Sequence, residues 1–198
     1  MTAKAQIETI IITEDELLRL GADDKAFEVI NGELVEMAPV GFRHVWLDFH
    51  VARLLHTFVE SKQLGYILPD NLIYVLERDE QGGLRTTRVP DVSFIRRGRI
   101  PKDFDRSRPF PGAPDLAIEI VSPTEKPEDT LGKVRDYLRF GSEQVWVIYP
   151  EQGEIHQYHR DDTKIIHVYT GDDVIDTASL FPGLELKARA LYELPPLE

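Results

Sequence analysis

Two stretches of this sequence set a carboxylate in or beside an apolar run: Pro90-Asp91-Val92-Ser93-Phe94-Ile95 and Pro114-Asp115-Leu116-Ala117-Ile118-Glu119-Ile120-Val121-Ser122. An anion inside an apolar strand is costly unless a cation, a hydrogen-bond donor or a proton meets it. Enrichment in β-branched and aromatic residues predicts strands over Val89 to Ile95 and Leu116 to Val121. If these strands pair, Asp91 at the start of one lies near Glu119 toward the end of the other. Two converging carboxylates seat a hard divalent cation, a pattern that suits metal-dependent hydrolysis. Plainer roles exist for both: backbone donors at a strand start for Asp91, an ion pair with Arg88 or Arg135 for Glu119.

The formal net charge of -12 argues against a polyanionic partner in general, but the charge is uneven. From Arg85 to Arg108 there are eight basic residues against three acidic ones. Arg88, Arg96, Arg97 and Arg99 flank the Asp91 phrase, and a basic edge beside an acidic pocket suits a phosphodiester. An exposed, solvated Arg-rich loop is the simpler alternative.

The remaining elements must position these groups. Thr13-Glu14-Asp15-Glu16 before Leu17 forms a capping-box pattern that starts a short helix. Two alternating runs around Asn31-Gly32, from Phe27 to Met37, predict a hairpin with a type I′ turn. Apolar residues recur at helical spacing from His44 to about Lys62, with Gly65 as a stop. Tyr66 to Leu68, Leu72 to Leu76, Val89 to Ile95 and Leu116 to Val121 read as strands of one sheet. A helix from Glu128 to Phe140, closed by Gly141, precedes a strand from Gln144 to Tyr149. Ile155 to His159 and Lys164 to Tyr169 alternate like a late hairpin. The expected fold is a mixed α/β sheet flanked by helices, with hairpins added at both ends, in one domain over residues 1–198 and with a flexible N-terminus over 1–8.

Together these motifs resemble the Uma2 family, also called DUF820. The residues that carry the resemblance are Asn31-Gly32-Glu33-Leu34, His44 opening the long helix, Val89-Pro90-Asp91-Val92-Ser93-Phe94, Ile118-Glu119-Ile120-Val121-Ser122-Pro123, Lys133 with Tyr137, and Val145-Trp146-Val147-Ile148. The resemblance runs from about Thr13 to Leu191 and implies a restriction-endonuclease-like core of the PD-(D/E)XK nuclease superfamily, magnesium dependence and cleavage of DNA phosphodiesters. It also implies that Asp91 is the superfamily's first aspartate and Glu119 its second acid. The lysine normally found two residues after that acid is absent, because Val121 stands there. Lys133 on the next helix matches a variant in which the lysine is displaced, and its long stem can carry an ammonium to the same point.

On this reading Mg2+, with Mn2+ able to substitute, is held by Asp91, Glu119 and the Ile120 backbone carbonyl, while Lys133 stabilises charge on the phosphate. Glu33 and His44 are secondary candidates, and His44 shares a helix face with Asp48 at i+4. A degenerate nuclease-fold module that binds nucleic acid or assembles without turnover is the alternative. The chain has no cysteine, which suits a reducing cytoplasm, and no apolar stretch long enough to span a bilayer. A homodimer is expected if Ile73 to Leu76 and Val145 to Ile148 leave apolar sheet edges open.

Overall fold

The structure, a computed structural model, describes residues 11–21, 25–123 and 125–194. The N-terminus expected to be flexible over residues 1–8 lies outside the described residues. Helix α1 (Glu14–Gly21) is followed by β1 (Phe27–Ile30), β2 (Glu33–Glu36) and the long helix α2 (Phe42–Ser61). Then come β3 (Gly65–Pro69), β4 (Tyr74–Arg78), β5 (Leu84–Arg88), β6 (Val92–Arg96), β7 (Phe110–Pro111) and β8 (Leu116–Ile120). Helix α3 (Pro127–Phe140), β9 (Gln144–Tyr149), β10 (Glu154–His159) and β11 (Asp162–Thr170) follow.

Local chemistry explains most boundaries. The Thr13 backbone N–H donates to Glu16 Oε2 at 3.0 Å and the Glu16 N–H donates to Thr13 Oγ1 at 3.2 Å, a complete capping box. Asn31 and Gly32 both take positive φ, 54° and 84°, as a type I′ turn between β1 and β2 requires. Gly141 ends α3 in the left-handed conformation.

The main sheet has six strands in the order β11-β10-β9-β8-β6-β3. Its pairs are antiparallel except β8 with β9, which run parallel and are joined by the crossover through α3. Alternation along β8 divides its side chains between two layers. Leu116, Ile118 and Ile120 pack under α2 with Leu47, Val51, Leu55 and Trp146. Ala117 lies on the other side with Val134, Tyr137, Leu138 and Val147. That second face is also covered by a three-stranded sheet, β5-β4-β7.

Four expectations are corrected. The Leu72 to Leu76 run does not join the main sheet: β4 pairs with β5 and β7, and β5 itself, a charged and threonine-rich strand, carried no apolar signature. Gly65 does not stop α2, which is capped at Lys62. Instead, a Cβ at Gly65 would lie 2.1 Å from the Ile95 carbonyl oxygen, so the position must stay bare for β3 to pair with β6. The late hairpin is not an appendage but extends the main sheet through β9. Tyr74 and Val145 to Ile148 are fully buried, so they leave no open apolar edge. Among the described residues no helix is long and apolar enough to cross a membrane.

Candidate active site

Antiparallel pairing sets Val92 opposite Ile118, so Asp91, one residue ahead of β6, stands at the sheet's rim beside the end of β8. There its two oxygens are used separately. Oδ2 accepts the Ile120 backbone N–H at 2.5 Å, and Oδ1 lies 3.0 Å from His44 Nε2 in the first turn of α2. One turn along α2, Asp48 Oδ1 lies 3.5 Å from the same nitrogen. The ligand atoms of His44, Asp48 and Asp91 all fall within 4.8 Å of one another.

Asp48 Oδ1 is buried with no hydrogen-bond partner. A buried carboxylate oxygen left unsatisfied beside a second carboxylate is what a divalent cation would complete, so these residues fit a metal ion. Imidazole and carboxylate together suit Mn2+ at least as well as Mg2+.

Glu119 points to the other face of the sheet, where it is 1% exposed. Lys133 Nζ donates to its Oε2 at 2.6 Å and the Tyr137 hydroxyl donates to its Oε1 at 2.8 Å. Lys133 and Tyr137 are one turn apart on α3, so a single helix face holds both carboxylate oxygens. Val121 packs against the apolar cluster on that same face. Lys133 also lies 3.4 Å from Glu125 Oε1.

The predicted site residues therefore divide into groups. Asp91 and His44 come together, joined by Asp48. Glu119 does not enter that group of three ligand atoms but pairs with Lys133, and neither Arg88 nor Arg135 is its partner. Ile120 touches Asp91 through its N–H. Glu33 is exposed at the hairpin turn and borders a different hollow, with Ile12, Glu16 and Arg19.

The basic edge is corrected. Arg88 is buried, its guanidinium 2.6 Å from both Glu28 Oε2 and Asp136 Oδ2, and so offers no phosphate contact. Arg96, Arg97 and Arg99 lie at the far end of β6 from Asp91, separated by the strand's length. Arg96 and Arg99 share the buried carboxylate of Asp115, Arg96 also pairs with Glu143, and Arg97 reaches Gln63. Asp115 is thus the anchor of that cluster. Asp70 is an addition: it shares a hollow with His44 and Asp91, but in sequence Asp70-Asn71 shows only a turn.

The electrostatics follow from burial among acids. Burial alone would lower the His44 pKa, but the hydrogen bond and charge of Asp91, aided by Asp48, outweigh it and push the value up to about 9. Burial and then the Asp91 charge push Asp48 up to about 7, against the pull of His44. Burial likewise raises Asp70. Burial raises Glu119, and the Lys133 ammonium opposes this; Lys133, despite its own burial, is held protonated by the charge of Glu119.

A pH dependence follows. His44 binds its proton more tightly folded than unfolded, so its stabilisation is complete below the ordinary value of 6.5 and is lost as pH rises through about 9. Asp48 behaves the same way between its ordinary 3.8 and about 7. Metal-free protein should lose thermal stability as pH rises through this window. Because a cation must displace both protons, calorimetric titration should show Mn2+ affinity rising between about pH 7 and about pH 9. A flat profile would contradict both the proton placement and the ligand group.

The family model of Uma2, described as "Putative restriction endonuclease", matches residues 14–189. The chain belongs to the Uma2 family. Among solved structures it resembles one described as a "putative nuclease belonging to DUF820 from Anabaena variabilis ATCC 29413", with a TM-score of 0.74 and 22% sequence identity over 91% of this chain and 97% of that one. At that identity the likeness shows the fold: a mixed sheet flanked by helices, shared with a nuclease-like neighbour. None of the curated proteins compared matches the chain. Membership of Uma2 supports a nuclease role for the chain.

Proposed function

We propose that this Uma2 protein is a metal-dependent endonuclease of the cytoplasm that hydrolyses DNA phosphodiester bonds at the rim formed by β6, β8 and α2. The carrying observation is the unsatisfied Asp48 oxygen within reach of Asp91 and His44. Asp91, Asp48 and His44 would hold Mg2+ or Mn2+, with the Ile120 carbonyl on the strand beside Asp91 as a further donor, while Glu119 serves through its pairing with Lys133 and Tyr137. Such an ion supplies Lewis-acid polarisation of the phosphoryl group and a bound water of lowered pKa.

The chain's own groups do the rest. The Ile120 N–H fixes the Asp91 carboxylate, so a ligand oxygen need not be reoriented when charge arrives. Glu119 and Tyr137 hold the α3 face against the strand, which fixes where the Lys133 ammonium sits. A positive charge placed in advance next to the phosphoryl oxygens stabilises the charge that builds there during attack. Loss of one such group costs about 3 kcal/mol, so Lys133→Ala should slow cleavage roughly 100-fold with little change in substrate binding.

The test is cleavage of plasmid and linear DNA with Mg2+ or Mn2+, with and without EDTA. Cleavage that appears with metal and vanishes with EDTA supports the proposal, whereas cleavage that survives chelation, or none with either ion, overturns it.

A further inference from the structure

Helix α2 carries the metal-site residues His44 and Asp48 inward and an apolar stripe outward. Phe42 is 78% exposed, Val45 54% and Phe49 64%. Their i, i+3, i+7 spacing places them on one line of the helix surface. Farther along that line come Arg53 and His56, both exposed. Between Phe42 and Thr57 no exposed residue of this helix is acidic, in a chain of net charge -12. Among the described residues Arg53 has no ion-pair partner, while His56 Nε2 lies 3.4 Å from Glu60. The face therefore carries two aromatic rings in its first half and one unpaired cation, Arg53, in its second.

We propose that this face of α2 is a homodimer interface, in which two copies pack α2 against α2 antiparallel across a two-fold axis between Val45 and Phe49. A parallel pairing would set Arg53 against the partner's Arg53. The antiparallel one lays Arg53 of each copy beside Phe42 of the other, an arrangement that gains cation–π attraction as well as apolar burial. Nucleic acid fits the face less well, since Val45 offers no stacking plane and a single unpaired arginine neutralises few phosphates. The dimer stands independently of the nuclease reading. Together they would set two rims side by side, one for each strand of a duplex.

Sedimentation equilibrium of the wild-type chain should give twice the mass of one chain. Phe42→Glu should weaken the dimer roughly 30-fold or more, as expected for an aromatic anchor. Its helicity should be unchanged, because the position is exposed and an anion in the first turn favours the helix, while its melting should lose the concentration dependence of the wild type. Arg53→Glu should weaken association about 5-fold. Ile166→Glu, on the exposed edge strand β11, should leave association unchanged. The proposal is overturned if the wild type stays monomeric at the highest soluble concentration, if Ile166→Glu alone dissociates the dimer, or if a monomeric wild type loses oligonucleotide binding on Phe42→Glu.

Discussion

Asp91→Ala is expected to lower metal-dependent DNA cleavage by about three orders of magnitude, since a ligated ion contributes several kcal/mol to charge stabilisation and ~4 kcal/mol corresponds to that factor. Asp91 touches both the sheet and α2, through the Ile120 N–H and His44. Alanine removes the metal charge and also leaves that N–H without its acceptor. Asp91→Asn separates the two effects, because the amide oxygen can still accept from Ile120 while the negative charge is gone. The asparagine variant should match the alanine variant in cleavage and lose the rise in melting temperature that Mn2+ gives the wild type, yet melt above the alanine variant without metal, since only the charge pairing with His44 is lost. Full cleavage by either variant would remove Asp91 from the mechanism.

Arg88→Ala should be the most damaging single change to the fold, at about 3–5 kcal/mol. The guanidinium lies between Glu28 and Asp136, and the second oxygen of Glu28 accepts the Val89 N–H at 2.9 Å. Without it the Glu28 carboxylate is left buried among acids, while Asp136, which is partly exposed, can turn to water. Pairing Arg88→Met with Glu28→Gln removes both buried charges and should recover much of the loss. Denaturant midpoints of the single and double variants measure this. A single-variant change below about 1 kcal/mol would mean that the network contributes little.

How far the sequence discloses this arrangement depends on the range of the forces involved. The Thr13–Glu16 cap, the Asn31-Gly32 turn and the Gly141 stop are fixed by atoms a few residues apart, and each forms as the local pattern predicts. The pairing of the Asp91 and Glu119 strands follows from their apolar runs, and the register brings the two acids to one end of the sheet. The destination of the arginines was not legible. Arg88, Arg96 and Arg99 look like a basic face in one dimension, but their partners, Glu28, Asp115, Asp136 and Glu143, come from four other segments. Nor does the sequence say which acid joins Asp91. Asp48 is signalled only by its spacing from His44, and Glu119 is drawn away by Lys133 and Tyr137 on a helix whose docking no local pattern specifies.

The pairing of Lys133 on α3 with Glu119 on β8 has a consequence of its own. The acids are welded into the sheet, but the ammonium travels with α3, the single segment that crosses from β8 to β9. A slide of that helix by a fraction of a turn would withdraw the cation while every strand stayed paired. On the proposed mechanism competence and foldedness thus have separate mechanical handles, because movement of α3 would withdraw the Lys133 ammonium without unpairing the sheet.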